Sequence, residues 1–257
     1  MLVVTESYII GLVGQYLLPL IRITAFFMAA PIFGTRLVSA RVRLLLGVSM
    51  TILIAPFLAD LQAVSNLSMT TMLIVIQQMM VGIALGFVFQ VVFQVFILAG
   101  QYIAMKMGLG FASMNDPANG VSVTVLSQFY MLTTTLLFLS VNGHLVLIQI
   151  LIDSFSILPI GVIGLDAQSF YQIVNLGGWM FGSALTIALP VLTALLLVNI
   201  AFGVMSRSAP QMNIFAVGFP ITLLFGLFIM WVGFPALLPS FNMLIDEAFN
   251  FAINLMQ

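Results

Sequence analysis

The sequence predicts an all-α protein of long, kinked, polytopic membrane-type helices, on three observations. Hydrophobic residues make up 63% of the 257 and charged residues 5%, against roughly 25% charged in an average soluble protein. The 13 charged side chains leave four charge-free stretches, 61–105, 117–152, 167–206 and 208–245. Each is longer than the about 20 apolar residues that a bilayer span needs. No alternation of polar and apolar positions at period two persists along them, which argues for helices and against a transmembrane barrel.

The elements follow in order. A first helix covers about 7–32, kinked near Pro19 and ended by Pro31-Ile-Phe-Gly34, because proline and glycine disfavour continuation. A second covers about 41–58. A third runs from near Ser68 to Met105; its 35 residues from Thr71 make about 52 Å at 1.5 Å per residue, against a hydrocarbon core of about 30 Å. Such a helix is bent or broken, or lies partly in protein. Gly108–Gly120, with three glycines, two asparagines, an aspartate and a proline, reads as a loop. A fourth helix covers about 121–141, is broken at Asn142-Gly-His144, and is followed by an apolar piece to Ile157. Pro159, Gly161 and Gly164 mark the next connection. A fifth helix covers about 168–205 with Pro190 inside, and a sixth about 212–232 with Pro220 inside. A short seventh could follow Pro235 and Pro239. Connections alternate in sign: Arg36, Arg41 and Arg43, then Asp60, Lys106, Asp153 with Asp166, Arg207, and Asp246 with Glu247. The positive-inside rule then gives six crossings with both termini outside the cytoplasm.

Composition also excludes function classes. So few charges could not coat a soluble enzyme of this size, and a net charge of −1 provides no basic footprint for nucleic acid. Absent cysteine removes disulfides and thiolate sites, and the single histidine, His144, removes multi-histidine zinc sites. Neither an HExxH pattern nor a P-loop occurs, and Gly108-Leu-Gly110 is followed by Phe111 where an intramembrane aspartyl protease carries aspartate. No catalytic, cofactor-binding or metal-ligating set emerges. His144 reads as a helix-end residue that caps or hydrogen-bonds there.

Four features could carry mechanism. Gln90, Gln94 and Gln101 fall within about 40° of one another on a helix. They are either structural glue between helices or the lining of a wet conduit. Arg22, near the middle of the first helix, must pair, snorkel, or face protein or water. Glu6 is 16 residues away, about 24 Å along a helix, too far to pair with it. The 108–120 loop is polar yet bounded by apolar helices, with Met105, Met107, Phe111 and Met114 clustered at it. Irregular backbone at membrane depth needs protein or water around it, so this segment is a functional loop or a surface turn. The fourth is the turn Ser206–Gln211 between the last two long helices.

The chain resembles the FliR/SctT family of type III export-gate subunits, most closely its flagellar branch. The resemblance rests on Ser206-Arg-Ser-Ala-Pro-Gln-Met-Asn-Ile-Phe-Ala-Val-Gly-Phe-Pro220, supported by Gly108-Leu-Gly-Phe-Ala, Asp116-Pro117, Gly120, Gly143-His144 and Pro31-Ile-Phe-Gly34 with Arg41 and Arg43. It covers essentially the whole chain. It implies a hetero-oligomeric, non-catalytic export gate. One copy of the chain would join five FliP-type and several FliQ-type subunits, near an FlhB-type subunit, in the bacterial inner membrane and flagellar basal body. Unfolded flagellar proteins would pass through this complex. Residues 1–175 would be FliP-like and 176–257 a FliQ-like hairpin with a tail, forming one integrated unit. The plug loop would be 106–122, recognisable by Lys106, Met107, Gly108, Gly110, Phe111, Met114, Asp116, Pro117 and Gly120. Arg207, Pro210, Gln211 and Asn213 would form a cytoplasmic-side turn. The rival readings are a small-molecule permease or channel in the bilayer and an intramembrane enzyme. Purification with unlike partner chains distinguishes the export gate from both.

Overall fold

A computed structural model describes the backbone of residues 6–58, 69–111, 113–115, 122–161, 164–208 and 214–256, with side chains over most of these. The described residues form eight α-helices and one two-stranded ladder. In order these are α1 (Glu6–Ala29), α2 (Ala40–Ile54), α3 (Met69–Lys106), β1 (Ser113–Asn115), β2 (Ser122–Thr124), α4 (Val125–Ser140), α5 (Gly143–Ile157), α6 (Ala167–Ser208), α7 (Ile214–Gly233) and α8 (Leu237–Leu255). Short 3-10 turns occupy Ala55–Phe57, Leu109–Phe111 and Phe234–Ala236.

Pro19, Pro190 and Pro220 lie inside α1, α6 and α7 without ending them. α3 is unbroken over 38 residues. Its most apolar window is 72% buried, so its excess length is absorbed by protein. Two segments differ from the sequence reading. Residues 122–124 pair antiparallel with 113–115, in the register Ser113 with Thr124, Met114 with Val123 and Asn115 with Ser122. α4 therefore starts at Val125, and within the 108–120 segment residues 109–111 and 113–115 carry regular structure. The tail is a full helix of 19 residues, because Pro239 falls in its first turn, where a missing N–H costs nothing. Four stretches are long and apolar enough to cross a membrane: Ala40–Phe57, Met69–Lys106, Ala167–Met205 and Gly218–Leu255. Counting α4 with α5 as one broken span gives five. The apolar stretch of α1 among the described residues, Gly14–Ala29, is shorter.

The chain packs as two units. The first comprises residues 1–91, 141–176 and 247–257. Phe26, Phe27, Ile74, Leu85 and Leu151 are fully buried in it, and the rings of Phe89 and Phe249 lie 5.3 Å apart. Gly82 and Gly86 let α3 approach the α1 backbone closely. A Cβ at Gly86 would fall 2.7 Å from the Ala30 nitrogen. After α1, Arg43 organises the turn by donating to the carbonyls of Phe33 (3.0 Å), Thr35 (3.1 Å) and Val38 (3.4 Å). Asp166 caps α6, accepting from the Ser169 amide and hydroxyl, both at 2.7 Å. These bonds hold its carboxyl below the usual carboxylate range.

The second unit comprises residues 92–140 and 177–246. Its core includes the ring pairs Phe93–Phe138 at 5.4 Å and Phe96–Phe241 at 6.0 Å. Gly100 brings α3 against α4, where an added Cβ would lie 2.8 Å from the Leu126 carbonyl oxygen.

Candidate functional site

The hairpin in the second unit is held at both roots. At the entry, α3 ends on Gly108, whose φ of +80° places it in the left-handed region that glycine adopts freely. Its amide bonds the Met105 carbonyl at 3.2 Å. An added Cβ there would meet the Phe219 ring at 2.9 Å. Met107 is fully buried and fills the notch at Gly226 of α7, where a Cβ would come 2.8 Å from its Cγ, Sδ and Cε. Lys106 is half-buried and Gly110 exposed. At the exit, Thr124 Oγ1 accepts from the Ser127 amide at 3.2 Å, an N-cap for α4. The Ser127 hydroxyl donates to the Ile97 carbonyl at 2.9 Å. It lies 2.9 Å from Thr124 Oγ1. Both side chains are buried. One root is thus seated against α7 and the other against α3. Phe111 and Met114 contribute backbone to the 3-10 turn and to β1. Asp116, Pro117 and Gly120 lie outside the described residues, as do the side chains of Phe111 and Met114.

The remaining candidates are distributed elsewhere. Gln90 and Gln94 are half-buried and Gln101 is exposed. Arg207 falls in the last turn of α6, its side chain outside the described set together with Pro210, Gln211 and Asn213. His144 opens α5 beside Asn142, a non-glycine residue with φ of 58°. It stands at a helix end as expected, and its Nδ1 is buried without a hydrogen-bond partner among the described residues.

Arg22 is fully buried in the first unit. Its Nε donates to Gln78 Oε1 at 2.8 Å, Nη1 to the Ser154 carbonyl at 2.8 Å and to Ser154 Oγ at 3.3 Å, and Nη2 to the Leu158 carbonyl at 2.9 Å. The guanidinium carbon sits 4.5 Å from the Phe155 ring centre, within cation–π range. These acceptors are neutral. Two of them are carbonyls at the C-terminal end of α5, the negative end of the helix dipole; the Ser154 carbonyl also accepts from the Leu158 amide at 3.0 Å. The planar fork of arginine can address α1, α3 and α5 at once, which a lysine ammonium cannot. Gln78 escaped the sequence reading because the amides further along the same helix drew attention to a different stripe. A central arginine that needs acceptors was the signal that could have found it.

The arrangement suits mechanical work: a braced, polar hairpin in one unit and a cross-linked helix junction in the other. The match to known proteins is extensive. Residues 13–248 match the family model described as bacterial export proteins, family 1. The flagellar biosynthetic protein FliR of Escherichia coli K12 is 39% identical over 250 residues, 97% of this chain and 95% of that protein. The protein of the same name from Pectobacterium carotovorum is 38% identical over 238 residues, 93% and 91% of the two chains. That from Bacillus subtilis is 32% identical over 218 residues, 83% of each. With four apolar helical stretches of spanning length and a family match along nearly its whole length, the chain belongs to family 1 of the bacterial export proteins, among relatives that are flagellar biosynthetic proteins.

Proposed function

We propose that this chain is a core, non-catalytic subunit of the flagellar type III protein export gate. In this reading it forms, with FliP-type and FliQ-type subunits and near an FlhB-type subunit, the inner-membrane pore through which unfolded flagellar proteins leave the cytoplasm. Residues 1–175 correspond to the FliP-like part and 176–257 to the FliQ-like hairpin. The loop 106–122 is the plug, and the turn carrying Arg207, Pro210, Gln211 and Asn213 lies at the cytoplasmic entrance. The Gln90, Gln94 and Gln101 side chains serve helix contacts.

The observation that carries the plug is the double bracing of the hairpin. A barrier that holds ions back at rest must return to one position after each displacement. Gly108 with Met107 at one root, and Thr124 with Ser127 at the other, fix both ends while the tip between them spans few residues. Flexible thioethers nearby can close around an irregular opening. The test is deletion of Gly110–Gly120 in the assembled complex. Raised ion conductance across the membrane is the expected result, and unchanged conductance contradicts the plug role.

A further inference from the structure

α2 leaves most of its circumference exposed, as do α6 and the α7–α8 stretch, but it alone of these starts beside two exposed arginines, Arg36 and Arg41. Only Gly47, Thr51 and Ile54 are buried along it, one narrow stripe that rests on α1, where a Cβ at Gly47 would lie 2.7 Å from Thr24 Cγ2. The rest of its circumference is aliphatic: Leu44, Leu45, Ile52 and Leu53 are each more than half exposed. No polar group is offered outward along this face. Ser49 Oγ donates back to the Leu45 carbonyl at 2.8 Å, and Thr51 Oγ1 to the Gly47 carbonyl at 2.7 Å. That is the condition hydrocarbon imposes, since lipid can satisfy no donor. With its 3-10 extension the stretch Ala40–Phe57 has 18 residues, about 27 Å of helix against a hydrocarbon core of about 30 Å.

The charges at one end fit the same solvent. Arg43 is occupied by backbone carbonyls. Arg36 and Arg41 are exposed and hold no hydrogen bond or ion pair among the described residues. Arg41 stands in the first turn of α2, which has no acidic residue. A cation there opposes the helix dipole, so it does not serve to stabilise the helix. α6 exposes aliphatic side chains too, among them Leu197, Ile200 and Val204, and adds glycines to them. Gly177, Gly178 and Gly182 have open space beside them, the small-residue surface that packs helix on helix.

We infer that α2 contacts lipid, and that Arg36 and Arg41 bind the headgroups of an anionic phospholipid bilayer. The aliphatic helix immerses in the acyl region and the two guanidinium groups pair with phosphates at its rim, as juxtamembrane basic residues do. This is independent of the plug assignment.

The test uses the assembled complex in native membranes. A photo-activatable residue at Leu45 or Leu53 should give adducts with intact phospholipid and none with protein. The same probe at Leu197 of α6 should give protein adducts. Protein adducts at both Leu45 and Leu53 would overturn the inference, because a partner subunit would then cover α2. Purified complex carrying Arg36→Gln and Arg41→Gln should bind phosphatidylglycerol vesicles on the order of 30-fold more weakly, with binding to phosphatidylcholine vesicles unchanged. Equal binding of wild type and variant to phosphatidylglycerol would overturn the headgroup role. The photo-adduct experiment requires no charge variant, so it stands even where the double variant fails to assemble.

Discussion

α3 and α6 are nearly equal in length and equal in mean hydropathy, yet the most apolar window of α3 is 72% buried and that of α6 17%. Apolarity determines what both helices avoid; it does not say what covers them. The covering of α3 comes from this chain itself. Gly82 and Gly86 admit α1 in the first unit, and Gly100 admits α4 in the second. The glycines of α6 meet nothing within 4 Å. In the proposed assembly, the open notches and exposed aliphatic side chains of this helix of 42 residues, about 63 Å long, would be covered by other subunits.

The contrast can be broken most severely at Arg22, which ties α3 to α1 and α5. Arg22→Met leaves the acceptors on Gln78 and Leu158 bare, at about 1–3 kcal/mol for each buried group left unpaired. Loss of protease-resistant, complex-incorporated protein is the expected readout. Arg22→Lys should recover only part of it, because an ammonium cannot span the three helices. Next in size is Gly86→Ala, where the added carbon meets α1 backbone. Overpacking of this kind costs about 1–3 kcal/mol, measurable as a lowered midpoint of thermal unfolding. Gly178→Ala on α6 should act oppositely on the isolated chain, stabilising the helix by about 0.5–1 kcal/mol. It should nonetheless reduce recovery of unlike chains in pull-downs, since its notch would be filled. The smallest effect belongs to Asp166→Asn at the start of α6. The carboxyl is held low by Ser169, so its contribution is present above the ordinary carboxylate pKa and is lost as pH falls through the lowered one. Thermal unfolding of wild type and variant should therefore differ slightly at neutral pH and converge in acid.

The helices were legible because charges and helix breakers punctuate a chain that is otherwise apolar. Pro31 and Gly34, Asn142 and Gly143, and the Ser206–Gln211 turn each fall at or beside a helix end. The ladder was not legible. Ser-Met-Asn and Ser-Val-Thr are three-residue strands, too short for a period-two pattern to register. The last helix was underestimated because Pro235 and Pro239 read as breakers, although Leu237, Phe241, Leu244, Ile245, Ala248, Ala252 and Leu255 are buried at helical spacing. The burial of Arg22 followed from cost alone, but its acceptors did not. Two carbonyls at the end of α5 are invisible to side-chain reasoning, and Ser154 and Leu158 lie 132 and 136 residues away in sequence.

The central claim is that the exposed apolar surface of α6 is meant for other polypeptides. Native mass spectrometry of the membrane complex captured through this chain tests it most directly. A single assembly containing unlike subunits together with one copy of this chain is the predicted result. A stably folded lone chain, or a homo-oligomer active as a solute carrier, would contradict it.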